Sequence, residues 1–415
     1  MSFDVLTLKG AIALGLLIIQ IPAALILLSR LSKGPSRYPP IEPQQPTPEM
    51  LGAVSVVVPT LNEAERINPC LAGLSEQGGD VREIIIVDSN SQDGTRELVK
   101  AAQGNDSRIR LITDDPLPVG WVGRPWALHN GFLASSEQSK WVLGIDADTQ
   151  PSVGLVAGLL KVAEAEGYDL VSLSPRFILK YPGEWWLQPA LLLTLVYRFG
   201  PTGDTTQTSE RVMANGQCFL CRRTVLEQLG GYKSASSSFC DDVTLARNAA
   251  AAGFKVGFLD GAKVIKVRMY EGAVETWKEW GRSLDLKDAS NPGQLWGDLW
   301  LLLSVQGLPI PAFVLLSSWL LMGSWIAPVV IAAGLNLFLL TIRVALLLAI
   351  AQSYDFSQPV SQEPKVKSQE FPFYLCMLAF CLSPLADPLA FLRICISTFS
   401  TPTQWRGRSY AQIQS

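Results

Sequence analysis

Residues 141–149 read WVLGIDADT, an apolar run that ends in two aspartates one residue apart. Unbroken apolar runs of this length are the pattern of a strand buried on both faces. If the strand continues past Ile145, Asp146 and Asp148 project to the same side, roughly 6 to 7 Å apart. Two carboxylates so placed suit one hard divalent cation, although a solvated strand end carries the same letters. The rest of the chain has to supply a reason for a metal there.

Working outward, the pattern repeats. VSVVV at 54–58 is followed by a turn from Pro59 to Glu63 and a helical stretch from Ala64 to Leu74. EIIIV at 83–87 runs into DSNSQDGT and a helix to about Ala102, and Ile109 to Ile112 gives a further strand. This alternation over 53–290 predicts an α/β fold with a Rossmann-like, mostly parallel sheet. Such sheets bind ligands at the carboxyl ends of their strands, which is where Asn62, Glu63, Asp88, Asp93, Asp146 and Asp148 fall. Asp93, before Gly-Thr-Arg-Glu, reads first as a helix cap. Several acids at one sheet edge repel one another unless cations or hydrogen-bond donors offset them, so the cluster says more than any member.

GRPWALHNG at 123–131 places Pro125 in the first turn of a helix, and Arg124 beside that N-terminus makes an anion site. His129 lies one turn further in and reads as a packed side chain. NGQCFLCRRTVLEQLGGY at 215–232 is strand, turn, helix and glycine stop. In FCDDVTLAR, Asp241 and Asp242 open another helix; the helix dipole accounts for one acid there more readily than for two.

The 415 residues carry 34 basic and 37 acidic side chains, a balance that argues against nucleic acid as a partner. Hydrophobic residues make up 48% and charged ones 17%, with the apolar excess at the two ends: a membrane protein with a soluble middle. Residues 1–30 read as an N-terminal transmembrane anchor, since 10–28 carry no charge and at 1.5 Å per residue nearly match a core of ~30 Å. Arg30, Lys33 and Arg37 follow, so the positive-inside rule puts the next domain in the cytoplasm. Residues 31–52 form a proline-rich linker and 53–290 the α/β domain. Within that domain, 181–200, with Trp185 and Trp186 at one end and Arg198 at the other, suits a segment at the membrane interface or a buried core helix. Glu271 to Ala289 reads as one amphipathic helix. Residues 291–400 form a C-terminal membrane region with runs at Leu299–Met322, Trp325–Ala351 and Phe371–Phe399. The last run either crosses or turns back, and 401–415 is a basic tail. Seven scattered cysteines suggest no disulfide framework; a lone Cys218-x-x-Cys221 with one histidine in the chain argues against zinc.

Taken in order, VSVVVPTLNEAERI, IIIVDSNSQDGT, GRPWALHNG, DAD, NGQCFLCRRTVLEQLGGY and FCDDVTLAR resemble the family-two glycosyltransferases, which have the GT-A nucleotide-diphospho-sugar transferase fold. The resemblance implies a nucleotide-sugar donor contacted by Pro59, Asn62, Glu63, Asp88, Arg124 and Asp146, and a Mg2+ or Mn2+ ion on Asp148 with Asp146. It implies Asp242 as general base, with Asp241 replacing the family's Glu. The Gln-x-x-Arg-Trp motif of processive members is absent. Trp277-x-x-Trp280-Gly281-Arg282 stands in its place, so the resemblance implies transfer of one sugar, with Arg282 neutralising the leaving diphosphate. MYEGAVETWKEWGRSLDLKD, with the membrane tail, is similar to a bacterial subgroup acting on hopanoid or carotenoid lipids, cyanobacterial carotenoid 2'-O-glycosyltransferases among them. That likeness implies an inverting enzyme of the plasma or thylakoid membrane. Its acceptor would be a hydroxylated lipid such as a myxol-type carotenoid, entering past Trp185, Trp277 and Trp280. A polyprenyl phosphate, hopanoid or glycerolipid is the alternative acceptor.

Overall fold

The computed structural model describes residues 2–205, 208–280, 284–357, 372–400, 404–405 and 408–409. The quoted apolar runs form the centre of a mixed sheet. Its strands are β1 (Val54–Thr60), β2 (Val81–Asp88), β3 (Ile109–Thr113), β4 (Trp141–Ile145), β6 (Leu170–Ser174), β8 (Cys218–Arg222) and β9 (Val256–Asp260), in the order β3-β2-β1-β4-β8-β6-β9. Only β8 runs against its neighbours, β4 and β6. The rest are parallel, as the alternating pattern predicts. Alternation on β1 splits its valines between two cores. Val54, Val56 and Val58 pack on one face of the sheet and Val57 on the other, so both faces are buried and the strands read as continuous apolar runs. Pro59 lies within β1 and not in the turn after it. It is tolerated because pairing with β4 stops at Val57, so the missing N–H breaks no ladder bond on that side.

Helices α2 (Ile67–Ser75), α3 (Thr95–Gln103), α4 (Gly123–Ala134), α5 (Leu155–Glu166), α7 (Arg223–Gln228) and α8 (Asp241–Ala251) surround this sheet, whereas α6 (Pro182–Phe199) packs mainly with the terminal helices, and α1 (Ser2–Leu31) precedes the sheet. A second sheet orders as β11-β7-β10-β5, from β5 (Thr149–Pro151), β7 (Arg176–Ile178), β10 (Ile265–Val267) and β11 (Tyr354–Asp355). It joins the turn after Asp148 to the chain that leaves the helix Ala327–Ile350.

Four expectations change on contact with the structure. The proline-rich stretch is a strap on the domain rather than a free spacer: Ile41 is buried, its N–H donates to Asp260 O at 2.8 Å, and Gln44 N–H donates to Gly154 O at 3.1 Å. The 181–200 segment is the buried helix α6. Trp185 packs against Phe356, Phe373 and Phe380, with ring centroids 5.2, 6.1 and 6.3 Å away. The region 271–289 is not one helix. A short helix, Gly272–Glu275, widens into a π turn at Thr276–Trp280, and a separate 3-10 turn covers Lys287–Ala289. Val274 and Leu284, which one helix would carry on the same apolar stripe, are 67% and 4% exposed. Finally, the run 299–322 bends by 48° between Pro292–Gly307 and Pro309–Leu321, where Pro309 removes a backbone donor.

Among the described residues, two helical segments, Leu8–Ser36 and Ala327–Ser353, are long and apolar enough to cross a membrane. Phe373–Cys381 and Ser383–Phe399 form a second bent pair, at 57°. In the tail, the described residues are a two-residue ribbon of Gln404–Trp405 with Arg408–Ser409.

Candidate active site

The carboxyl ends of β1 and β4, the start of α8 and the loop before β8 open onto one cavity of about 900 Å3. Asn62, Glu63, Arg66, Asp93, Arg124, Asp146, Asp148, Gly216, Asp241 and Asp242 supply its polar lining. Leu192, Leu195, Val196 and Phe199 of α6, with Phe239, Trp280, Leu284 and Leu286, supply an apolar wall.

Arg124 is the centre of the polar part. Its Nε donates to Asp146 Oδ1 at 3.0 Å, Nη1 to Asp241 Oδ2 at 2.5 Å and Nη2 to Gly216 O at 2.7 Å. Burial works against its charge, but Asp146, Asp241 and Asp242 outweigh it and hold the guanidinium above its usual range. Gly216 ties this network to Asp242, because its N–H donates to Asp242 Oδ2 at 2.6 Å. Val243 N–H holds Asp242 Oδ1 at 2.9 Å. Any side chain at 216 collides with Arg124: an added Cβ would lie 2.3 Å from Nη2. Burial pushes the Asp241 and Asp242 carboxyls up, against the pull of Arg124.

Asp146 and Asp148 reach the cavity by a different route from the expected one. β4 ends at Ile145, and Asp146 to Thr149 is a tight turn closed on the Asp146 carbonyl by Thr149 N–H at 3.2 Å and Thr149 Oγ1 at 2.7 Å. The pair therefore faces the cavity from a turn and not by strand alternation. Burial pushes Asp148 up, Asp146 adds to this, and Arg66 opposes it. Asp148 Oδ1 is buried with no hydrogen-bond partner. Among the described residues no group of three or more His, Cys, Asp or Glu side chains is placed to hold a metal ion. This turn accordingly offers two carboxylates and not a full protein cage.

The other expected residues divide. Asn62 adopts φ 56°, with its N–H on Ser91 Oγ and its Oδ1 taking Gln92 N–H, both at 2.9 Å. Glu63 lines the cavity beside it. Asp93 holds both the turn after β1 and the start of α3, accepting from Ala64 N–H at 2.9 Å and Thr95 N–H at 3.1 Å, so its main work is the capping one. Asp88 is fully buried and spent on Ser91 N–H and Arg96; neither it nor Pro59 is in the cavity lining. Of the three tryptophans expected on an acceptor surface, only Trp280 lines the cavity. Trp185 lies in the core of the helical region, and Trp277 sits under Arg393, whose Nε donates to its carbonyl at 2.7 Å. Arg282 lies outside the described residues. His129 is packed between Trp121 and Trp126, and Cys218 and Cys221, three apart on β8, point into opposite cores.

Three features escaped the sequence reading. Arg66 reaches the cavity from the turn after β1, bonded to Met269 O and Glu275. Its one sequence signal was a cation among strand-end acids. Gly216 carried the signal of a glycine at a strand start, where another group approaches closely. The apolar wall from α6 had none, because burial by the C-terminal helices is not local information.

Residues 55–230 match the model of the family described as Glycosyl transferase family 2. The 4,4'-diaponeurosporenoate glycosyltransferase of Staphylococcus haemolyticus is 26% identical over 241 residues, 57% of this chain and 62% of that protein. The undecaprenyl-phosphate 4-deoxy-4-formamido-L-arabinose transferase of Yersinia pestis is 32% identical over 130 residues, 30% of this chain and 37% of that protein. The chain thus spans less than two thirds of the length of these relatives. Among solved structures, the mannosyltransferase PcManGT of Pyrobaculum calidifontis in complex with GDP-Man and Mn2+ is similar with a TM-score of 0.45 and 19% identity, covering 81% of this chain and 97% of that one.

Proposed function

We propose that this chain, whose residues 55–230 carry the family-two glycosyltransferase pattern, moves one sugar from a nucleotide-diphosphate donor to a hydroxyl group of a lipid. The observation that carries the reading is a single cavity that joins Arg124, Asp146, Asp148 and Asp242 to an apolar wall built from α6, Trp280, Leu284 and Leu286. A charged donor and a greasy acceptor need both surfaces within one space. Two spanning segments flank the domain at its ends, so a lipid acceptor arrives from the phase in which the chain itself is embedded. With Arg30, Lys33 and Arg37 following α1, the domain belongs on the cytoplasmic side of a bacterial membrane.

The chemistry follows from what each side chain holds. Departure of a nucleoside diphosphate builds negative charge on a phosphate oxygen, and Arg124, kept charged by three carboxylates, stands where that charge is stabilised. A divalent cation, Mg2+ or Mn2+, on Asp146 and Asp148 would add Lewis-acid stabilisation of the diphosphate. The unpartnered Asp148 Oδ1 fits such an ion, and two carboxylates leave the other positions to phosphate oxygens and water. Asp242 has each carboxylate oxygen fixed by one backbone N–H, which orients it while leaving lone pairs free. Its raised pKa makes it a better base than a solvated aspartate. It takes the acceptor hydroxyl proton as the oxygen bonds to the anomeric carbon, while the bond from that carbon to the phosphate oxygen breaks and its electron pair leaves with the diphosphate. One displacement of this kind inverts the sugar carbon.

The relative named for diaponeurosporenoate supports a carotenoid acceptor, for which a myxol-type 2'-hydroxyl is the specific form proposed; the relative named for undecaprenyl phosphate supports a lipid-phosphate acceptor as the second reading. The test uses full-length protein in detergent with Mn2+, labelled nucleotide sugars and lipid extracts. Asp242→Asn is expected to lower transfer by about 10² to 10⁴ while donor binding persists. Asp148→Ala is expected to lose the metal-dependent rise in melting temperature that donor and Mn2+ give together. Near-normal turnover in Asp242→Asn overturns the assigned base, and a product with the sugar on phosphate selects the second acceptor.

A further inference from the structure

Arg30 in the last turn of α1, Arg198 in the last turn of α6, Arg211 in the turn Ser209–Arg211 and Arg247 in α8 come together outside the polar network just described. The Cζ atoms of Arg198, Arg211 and Arg247 lie 4.9, 6.0 and 5.7 Å from the centroid of one ring, Phe199. Arg30 donates to Tyr197 O at 2.7 Å, one residue from Arg198.

Charge does not balance there. Asp298, 3% exposed, takes Arg198 Nε at 3.0 Å and Arg211 Nη1 at 2.8 Å. Asp285 gives Arg198 only its backbone carbonyl, at 2.8 Å. Even with both carboxylates charged, four cations against two anions leave an excess of two positive charges. Arg247 is 7% exposed. Its Nε and Nη1 are used on Val212 O, Ala289 O and Ser290 Oγ, but Nη2 is buried with no hydrogen-bond partner. Burial, and then repulsion by Arg198 and Arg211, bring Arg247 down to about 10. Like charges held in a poorly solvated place are unfavourable unless an anion sits among them. The cluster reaches the surface at Arg211, whose side chain is 33% exposed. Arg30 lies in the last part of the segment Leu8–Ser36, which is long and apolar enough to cross a membrane, and cations at such an end suit anionic lipid headgroups.

We propose that Arg30, Arg211 and Arg247 form a second anion site, distinct from Arg124, that takes a phosphate group. Planar guanidiniums from three elements suit the several oxygens of phosphate better than a single carboxylate. The phosphate belongs either to an anionic phospholipid or to a free solute, and the proposal holds independently of the sugar-transfer reading.

The test is native mass spectrometry and thermal melting of the full-length protein in neutral detergent, titrated separately with phosphatidylglycerol, phosphatidylcholine and inorganic phosphate. Retention of phosphatidylglycerol over phosphatidylcholine, with a raised melting temperature, supports a headgroup site; an equal rise with inorganic phosphate alone supports a solute site. The double variant Arg30→Gln, Arg211→Gln is expected to weaken retention about tenfold or more, and Arg30→Lys, Arg211→Lys to keep the preference for anionic over neutral lipid. Wild-type protein that neither prefers phosphatidylglycerol nor responds to phosphate overturns the proposal. So does a glutamine variant that melts like wild type without ligand yet retains the anion equally.

Discussion

Replacing Gly216 by alanine tests the site with one methyl group. The added Cβ would lie 2.3 Å from Arg124 Nη2, 2.7 Å from Cζ and 2.9 Å from Nη1, whereas ordinary non-bonded contact needs roughly 3.5 Å. Something therefore retreats by about 1 Å. The guanidinium is pinned by Asp146 and Asp241, so it moves off Gly216 O at least, losing a charge-assisted bond with a net value of about 1.5 to 3 kcal/mol. If the backbone moves instead, Gly216 N–H leaves Asp242, and the proposed base loses its alignment. Either way a misplacement of about 1 Å at the reacting groups costs on the order of 10² in kcat/KM. The assay is sugar transfer by full-length protein, with melting temperature recorded alongside. Gly297→Ala is the control: it makes the same chemical change where nothing lies within 4 Å. The reasoning is refuted if Gly216→Ala transfers sugar at the wild-type rate, or if both alanine variants lose activity equally.

Further outcomes follow from residues in other parts of the fold. Trp185→Ala is expected to cost about 3 to 5 kcal/mol of stability with little change in acceptor KM, because Trp185 is core. Trp280→Leu is expected to raise acceptor KM with donor KM nearly constant; paired melting and kinetic measurements that show the reverse pattern would count against the placement of the cavity wall. Asp355 is held down at about 2: burial opposes this, but hydrogen bonds from Lys266 and Ser357 outweigh it. A depressed carboxylate stabilises the fold above its unfolded pKa of about 4 and loses that contribution as pH falls through about 2. Wild type and Asp355→Asn should therefore differ in urea stability at neutral pH and converge toward pH 2, and a difference that is flat across that window would contradict the Lys266 pairing.

The sheet was legible because burial on both faces leaves no choice of residue type: VSVVV, EIIIV and WVLGI cannot be anything but interior strands once glycine and acid punctuation follow them. The acids at their ends were legible for the same topological reason, yet their division of labour was not. Asp88 and Asp93 look like Asp146 and Asp148 in one dimension. What separates them is which neighbour occupies the carboxylate: Arg96 for Asp88, the Ala64 and Thr95 N–H groups for Asp93, Arg124 for Asp146 and none for Asp148 Oδ1; Ala64 and Arg124 come from segments more than twenty residues away in the chain. The helical part was legible as apolar but not as shape. Pro309 marks a bend only once its neighbours are known to be helical on both sides, and Trp185, which suggests an interface in sequence, is taken into the core by Phe356, Phe373 and Phe380, far along the chain.

The small sheet β11-β7-β10-β5 has a mechanical meaning. Its three strand spacings amount to about 14 to 15 Å, and at one edge the chain has just left the long apolar segment Ala327–Ser353, while at the other it has just left Asp148. Backbone hydrogen bonds across that distance stretch little, and Lys266 bound to Asp355 at 2.6 Å adds a side-chain cross-tie. The sheet therefore ties the end of that helix to the turn at Asp148 through backbone hydrogen bonds and not through a slack hinge.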